Sequence, residues 1–139
     1  MAAQLNTLLR AACEHVCPVP PVAGAVSSVR RRAAALLADW NVSCEIVEDA
    51  LLVVSELATN AVIHARPPAE LRLSWGSGRR TLRIEVTDAG PARPGSRALG
   101  GFDPDEHGRG EAIVRALATH YGIRIHPGGV TRWAELVAG

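Results

Sequence analysis

One run constrains the fold more than any other: EIVEDALLVVSELATNAVIHA, Glu45–Ala65, set between Ser43 and the Pro67-Pro68 pair. Its apolar residues Ile46, Val47, Leu51, Val53, Val54, Leu57, Val62 and Ile63 cover most of a helical circumference. That is the pattern of a helix packed on nearly every side. Ser43 suits the N-cap, and Glu45, Glu48 and Asp49 favour the positive end of the helix dipole. The two prolines stop the helix. Two polar residues interrupt the apolar surface. Glu56 and Asn60 lie four positions apart, so they share a face. A buried charge without a partner is costly, and the pair therefore implies one. A magnesium ion carrying a phosphate chain would serve, because magnesium prefers oxygen ligands and takes several of them from its substrate.

The remaining elements follow from shorter patterns. Cys13–Val19 reads as an edge strand ended by Pro18, Pro20 and Pro21. From Val22 to Trp40 the period turns helical, with Val26, Val29, Ala33, Leu36 and Leu37 on one side and Arg30, Arg31 and Arg32 on a solvated face. Leu71, Leu73 and Trp75 alternate with Arg72 and Ser74, Gly76-Ser77-Gly78 turns the chain, and Leu82, Ile84 and Val86 alternate with Arg83, Glu85 and Thr87. This is a hairpin with one apolar and one polar face. Residues 1–12 read as a short helical or frayed lead-in, and 88–110 as a long loop rich in Gly, Pro, Ala and Arg. Gly110 is expected to open a third helix with Ile113, Val114, Leu117 and Tyr121 buried, and Arg115 and His120 exposed. Ile123 and Ile125 begin a strand, Pro127-Gly128-Gly129 turns it, and Val130–Val137 ends the chain as a final strand. Trp40, Trp75 and Trp133 are assigned to the core. Alternating sheet residues need cover on one face only, so the order predicts a two-layer α/β sandwich with helices on one face of a mostly antiparallel sheet. Strands that come as hairpins rather than βαβ units exclude a doubly wound parallel sheet.

Composition sets the function classes. A chain of 139 residues, 47% hydrophobic and 21% charged, predicts one domain spanning 1–139 rather than a disordered segment. A net charge of +1 without a basic block, and a single Tyr and a single Phe, argue against nucleic-acid binding. No apolar run reaches the ~20 residues needed to cross a bilayer, and Arg10, Glu14 and His15 interrupt any signal-peptide core. A cytoplasmic protein with no membrane contact is expected. The three cysteines, Cys13, Cys17 and Cys44, fit reduced thiols there. The Cys13–Cys17 segment lacks a second ligand cluster and reads as strand rather than as a metal loop.

Three further features join Glu56 and Asn60. Asp88-Ala89-Gly90 follows directly on a strand, where a carboxylate can accept from an exocyclic amine and a glycine admits a flat ring. Gly108-Arg109-Gly110 stands where helix N–H groups would favour phosphate. Thr131, on the last hairpin, offers a hydroxyl to brace Asp88 or a bridging water. Each is commonplace alone. In this order, the segments SELATNAVIHA, VTDAG, GRGEAIV and GGVTRWAEL resemble the N box, G1 box, G2 box and final-strand threonine of the GHKL nucleotide-binding superfamily. The likeness runs from about Cys13 to Val137. Within the superfamily the chain is most similar to the stand-alone bacterial anti-sigma factors with serine/threonine kinase activity.

The resemblance implies a Bergerat-type, histidine-kinase-like ATPase fold that binds ATP with Mg2+. Asn60 would hold the magnesium, and Glu56 would be the general base. Asp88 would bind the adenine amine, with Gly90 beside it and Thr131 in support. Gly108, Arg109 and Gly110 would close over the phosphates, and residues 91–107 would form a lid. The implied partners are a sigma factor, an anti-anti-sigma antagonist phosphorylated on Ser or Thr, or both; a homodimer is implied as well. Departures from the family pattern are Pro91-Ala92-Arg93-Pro94 after the first G1 glycine (Gly95 being the substitute), Ala65 after His64, and Glu111 at an apolar place in the third helix's first turn, where it would repel phosphate or face solvent. His64 continues the Glu56/Asn60 row or caps the helix; His107 falls in the lid. The competing expectation is a non-catalytic module that sequesters a partner. A histidine-kinase catalytic domain would require an upstream phosphoacceptor helix pair, and a ligand-free structural domain leaves Glu56 and Asn60 without a purpose.

Overall fold

The computed structural model describes residues 13–91 and 104–139, with backbone only for 104–109. The elements are β1 (Cys13–Val19), α1 (Ala25–Asp39), α2 (Cys44–His64), β2 (Ala69–Gly76), β3 (Thr81–Asp88), α3 (Pro104–Leu117), β4 (His120–His126) and β5 (Gly129–Val137). The expected lead-in and most of the expected lid, including Gly95, lie outside the described residues. The strands form one sheet in the order β1-β2-β3-β5-β4, and every pairing among them is antiparallel. The two-layer α/β sandwich expected from the alternating strands is what the chain adopts.

The core lies between the helices and one face of the sheet. Leu71, Leu73 and Trp75 of β2, Leu82, Ile84 and Val86 of β3, and Ala134 and Leu136 of β5 are all buried there. They meet the α1 stripe Ala25, Val29, Ala33 and Leu37, and Ile46, Ala50, Val53, Val54, Leu57, Ala58 and Ala61 of α2. Small residues along both stripes let the helices lie close to each other and to the sheet. The other sheet face is a ladder of charge. Arg72 pairs with Glu14, and Arg83 donates to Glu85 at 2.7 Å and to Glu135 at 2.9 Å. Desolvation opposes the Arg83 charge, but its bonds to the two carboxylates, with their negative charge, outweigh it and raise its pKa. The same guanidinium lies 4.3 Å above the Trp133 ring. Trp133 therefore belongs to this outer face rather than the core, whereas Trp75 is buried and Trp40 packs at the core margin.

Two expectations in this region shift. The third helix begins at Pro104, not Gly110. Proline suits a first helical position, and Asp105 and Glu106 favour the N-terminal dipole, so the helix forms two turns before its apolar residues begin. Gly108, Arg109 and Gly110 are thus inside α3, and Glu111 is well past its first turn. Tyr121 and His120 belong to β4, and Tyr121 is 45% exposed rather than buried. Cys13-Glu14-His15-Val16-Cys17 is strand β1. Burial raises the pKa of the Cys17 thiol, with Arg32 opposing it. No helix among the described residues is long and apolar enough to cross a membrane.

Chain geometry is tightest where β5 begins. Gly129 has φ +138°, and a Cβ there would overlap the Asp88 carbonyl oxygen. Gly24 has open space around it. Gly129→Ala is expected to lower unfolding free energy in urea by on the order of 3 kcal/mol, from strain and loss of register beside Asp88. Gly24→Ala should stay within about 0.5 kcal/mol of wild type.

Candidate functional site

Helix α2 carries its polar row past the end of the core. Glu56 and Asn60 are half-buried, and with His64 one turn further they line a cavity of about 740 Å³. The size suits a small-molecule ligand. Its other walls are Gly110, Glu111, Ile113 and Val114 of α3, Tyr121 to Ile123 of β4, and Arg132 of β5. Ile63, 57% exposed, and Ile123, 62% exposed, turn their apolar side chains onto this space.

Gly110 matters through Glu56. A Cβ at Gly110 would stand 2.6 Å from a Glu56 carboxylate oxygen. The missing side chain lets α3 close over that carboxylate. Glu111, the residue expected to disturb a phosphate, is mostly exposed and accepts from Arg115 at 3.2 Å, one turn along the same helix. Arg115 is accordingly exposed, as its place in the pattern implied.

Asp88, 2% exposed, does not line the cavity itself but lies behind Arg132, which does. One carboxylate oxygen accepts from the Gly90 N–H at 2.8 Å, and the other from Arg132 Nη1 at 3.2 Å. Gly90 has φ +109°, a conformation that favours glycine. The strand end is stitched to the chain leaving α2: the Arg66 N–H donates to the Gly90 carbonyl at 2.8 Å, and the Ala89 N–H donates to the Arg66 carbonyl at 3.0 Å. The Arg66 guanidinium adds a bond to the Ala89 carbonyl at 3.0 Å. These bonds fix the Asn60 end of α2 relative to Asp88.

Arg132 joins the two halves. With the Asn60 amide oxygen facing it, that oxygen accepts from Arg132 Nε and Nη1, each at 3.2 Å. Asn60 therefore has a partner within the chain. Arg132 is absent from the residues singled out by the sequence motifs, although it carries a signal. It falls in step with Val130, Ala134 and Leu136, the inward residues of β5, so a charge in that register is as anomalous as Glu56 on α2. Arg66 has no comparable signal, because its role rests on backbone bonds.

Glu56, Asn60 and Gly110 are brought together, and Asp88 and Gly90 lie next to them through Arg132. Thr131 is placed elsewhere. It pairs with Thr87 on the charged face of the sheet. Its hydroxyl bonds to Thr87 Oγ1 at 2.7 Å and to His126 Nε2 at 3.0 Å rather than to Asp88. Residues one apart on a strand point to opposite faces, and Thr131 is out of step with Arg132. The side chains of His107 and Arg109, and the surroundings of Gly108, lie outside the described residues. Among the described residues no group of three His, Cys, Asp or Glu side chains is gathered as a metal site.

The model of the histidine kinase-like ATPase domain matches residues 19–134. The chain belongs to that family. The matched span takes in α2, the Asp88 strand end and β5 as far as Ala134. No curated protein sequence matches. Among solved structures, the crystal structure of the RsbU and RsbW domains of Rv1364c from Mycobacterium tuberculosis superposes with a TM-score of 0.69 at 19% identity. The match covers 90% of this chain and 32% of that one, a likeness of fold.

Filling the gap at Gly110 tests the packing of α3 on Glu56. The clash falls on the free end of a flexible side chain, and alanine is the better helix former by about 1 kcal/mol. Gly110→Ala is expected to keep or slightly raise thermal stability while a crystal structure shows the Glu56 carboxylate displaced. A marked loss of stability would mean that Glu56 cannot yield.

Proposed function

We propose that the cavity binds ATP with magnesium, and that the protein is a regulator of the anti-sigma type that transfers the γ-phosphate to a Ser or Thr of an antagonist protein. The observation that carries this reading is the wall of α2: a carboxylate and a carboxamide one turn apart, opening onto a cavity of ligand size beside Asp88. Family membership supports ATP; the anti-sigma role rests on the likeness of the four sequence segments.

The donor set suits the ion. Magnesium takes hard oxygen ligands and keeps several from water and phosphate, and this wall offers the Asn60 amide oxygen with the Glu56 carboxylate nearby. Asn60 would hold the ion, which when bound neutralises charge on the phosphates. Glu56 would accept the proton of the attacking hydroxyl. Asp88 would take the adenine amine, with Gly90 admitting the ring, and Ile63, Tyr121 and Ile123 would cover its faces. Gly108, Arg109 and Gly110 are assigned to the phosphate side. Thr131 would support the strand behind Asp88 rather than touch it. Catalysis of this kind is positioning and charge neutralisation. The proposed partners are a sigma factor and an antagonist protein, with the protein acting in the cytoplasm as one domain and as a homodimer.

One observation favours a second reading, a module that sequesters a partner without catalysis. Asp88 is buried and both its oxygens are already engaged, by Gly90 and by Arg132. A nucleotide must displace one of them.

Calorimetric titration with ATP separates the readings. Wild type is expected to bind in a magnesium-dependent manner, and Asn60→Ala to bind on the order of tenfold more weakly or worse. Equal affinities, or none in either, would remove the nucleotide site. Glu56→Gln should keep binding while single-turnover transfer to an antagonist protein falls by roughly 10²-fold or more. Binding without transfer in wild type would leave the sequestering module.

A further inference from the structure

Arg132 is the one arginine among the described residues lining the cavity, and its guanidinium is already committed. It donates to Asp88 Oδ2 at 3.2 Å and, with the Asn60 amide oxygen turned toward it, through Nε and Nη1 to that oxygen at 3.2 Å. Those are the two acceptors that the nucleotide reading assigns to the adenine amine and to the magnesium ion. The Asp88 side chain is 1% exposed, so no donor from outside can reach that oxygen while Nη1 is there. Arg132 itself is 29% exposed, with a long stem able to swing its charged head toward water while staying attached to the wall. Arrangement and chemistry thus describe an exchange: one set of donors leaves as another arrives.

We propose that Arg132 is a built-in competitor for the nucleotide site, bridging Asp88 and Asn60 in the empty protein and withdrawing from both when nucleotide enters. This rests on the nucleotide reading of the cavity. The guanidinium holds a buried carboxylate in a charge-assisted bond, which a neutral amine replaces at a disadvantage. The ligand must make up the difference elsewhere, and the released cation then faces an anionic phosphate chain instead of a buried carboxylate. Arg132 accordingly lowers affinity for the base and favours the charged triphosphate over the bare nucleoside. A ligand without an N–H donor to offer Asp88 would leave that carboxylate unpaired.

The probe is adenosine, which has no phosphate to attract a displaced arginine. Adenosine is expected to bind Arg132→Met at least about tenfold more tightly than wild type, and the preference for ATP over adenosine should shrink. Arg132→Gln, which keeps a neutral donor beside Asp88, should fall between them, and it answers the question if the methionine variant does not fold. In wild type, the Arg132 Nε–H resonance should shift and lose its protection from solvent exchange on saturation with adenosine or ATP. Adenosine binding that is unchanged or weaker in the variants, or an Arg132 resonance that nucleotide leaves in place, would overturn the competitor. Absence of nucleotide binding in wild type and both variants would instead remove the nucleotide site itself.

Discussion

The backbone stitch between Arg66 and the Ala89-Gly90 turn is the constraint on which the site depends. Helix α2 is long and mostly apolar, and its packing on the sheet could tolerate small slides along its axis. Two main-chain hydrogen bonds just past its C-terminus, backed by the Arg66 guanidinium, remove that freedom. They hold the last turns of α2 against the end of β3. Asn60 and Asp88, from elements far apart in sequence, then lie within reach of one guanidinium. Gly129 serves the same junction from the other side, because only glycine allows β5 to pass so close to the Asp88 carbonyl.

Electrostatics in this small protein is divided by the sheet. On the charged face, Arg and Glu alternate across strands, more exposed at Arg72–Glu14 than around Arg83, and Arg72 and Arg83 each have more than one carboxylate in reach. The exposed Arg72–Glu14 pair contributes little to stability by itself, and the ladder keeps an uncovered sheet face polar. On the helix side, the polar groups bonded to one another among the described residues include Asp88, Arg132 and Asn60, clustered at one end. Asp88 and Arg132 neutralise each other there, and Asn60 is drawn in with them. Glu56 is left facing the cavity. That asymmetry marks where a ligand would gain most from binding.

Much of this is legible in the sequence. Alternation in 71–75 and 82–86 determines the hairpin and its buried face, because apolar residues at every second position share a side only when the chain is extended. Anomalous polarity on an apolar helix locates Glu56 and Asn60. The start of α3 escapes a reading of periodicity because its first turns contain no apolar residue to announce one; the proline and the acidic residues behind it are the only local signs. Thr131 and Arg132 exchange importance for a related reason. A threonine on a strand matches a family segment, whereas the inward register of Arg132 becomes visible only when its neighbours Val130 and Ala134 are counted as core. The strand order, which puts β5 between β3 and β4, depends on pairings between segments far apart in the chain and leaves no local trace.

The direction of the strands has a practical consequence. Cys13 at the start of β1 pairs with Trp75, and Val137 at the end of β5 pairs with Thr81, so both lie at the hairpin end of the sheet. Asp88 and Gly129 lie at the opposite pole. A fluorescent fusion or a surface tether joined beyond β5 would leave the sheet from the pole opposite Asp88.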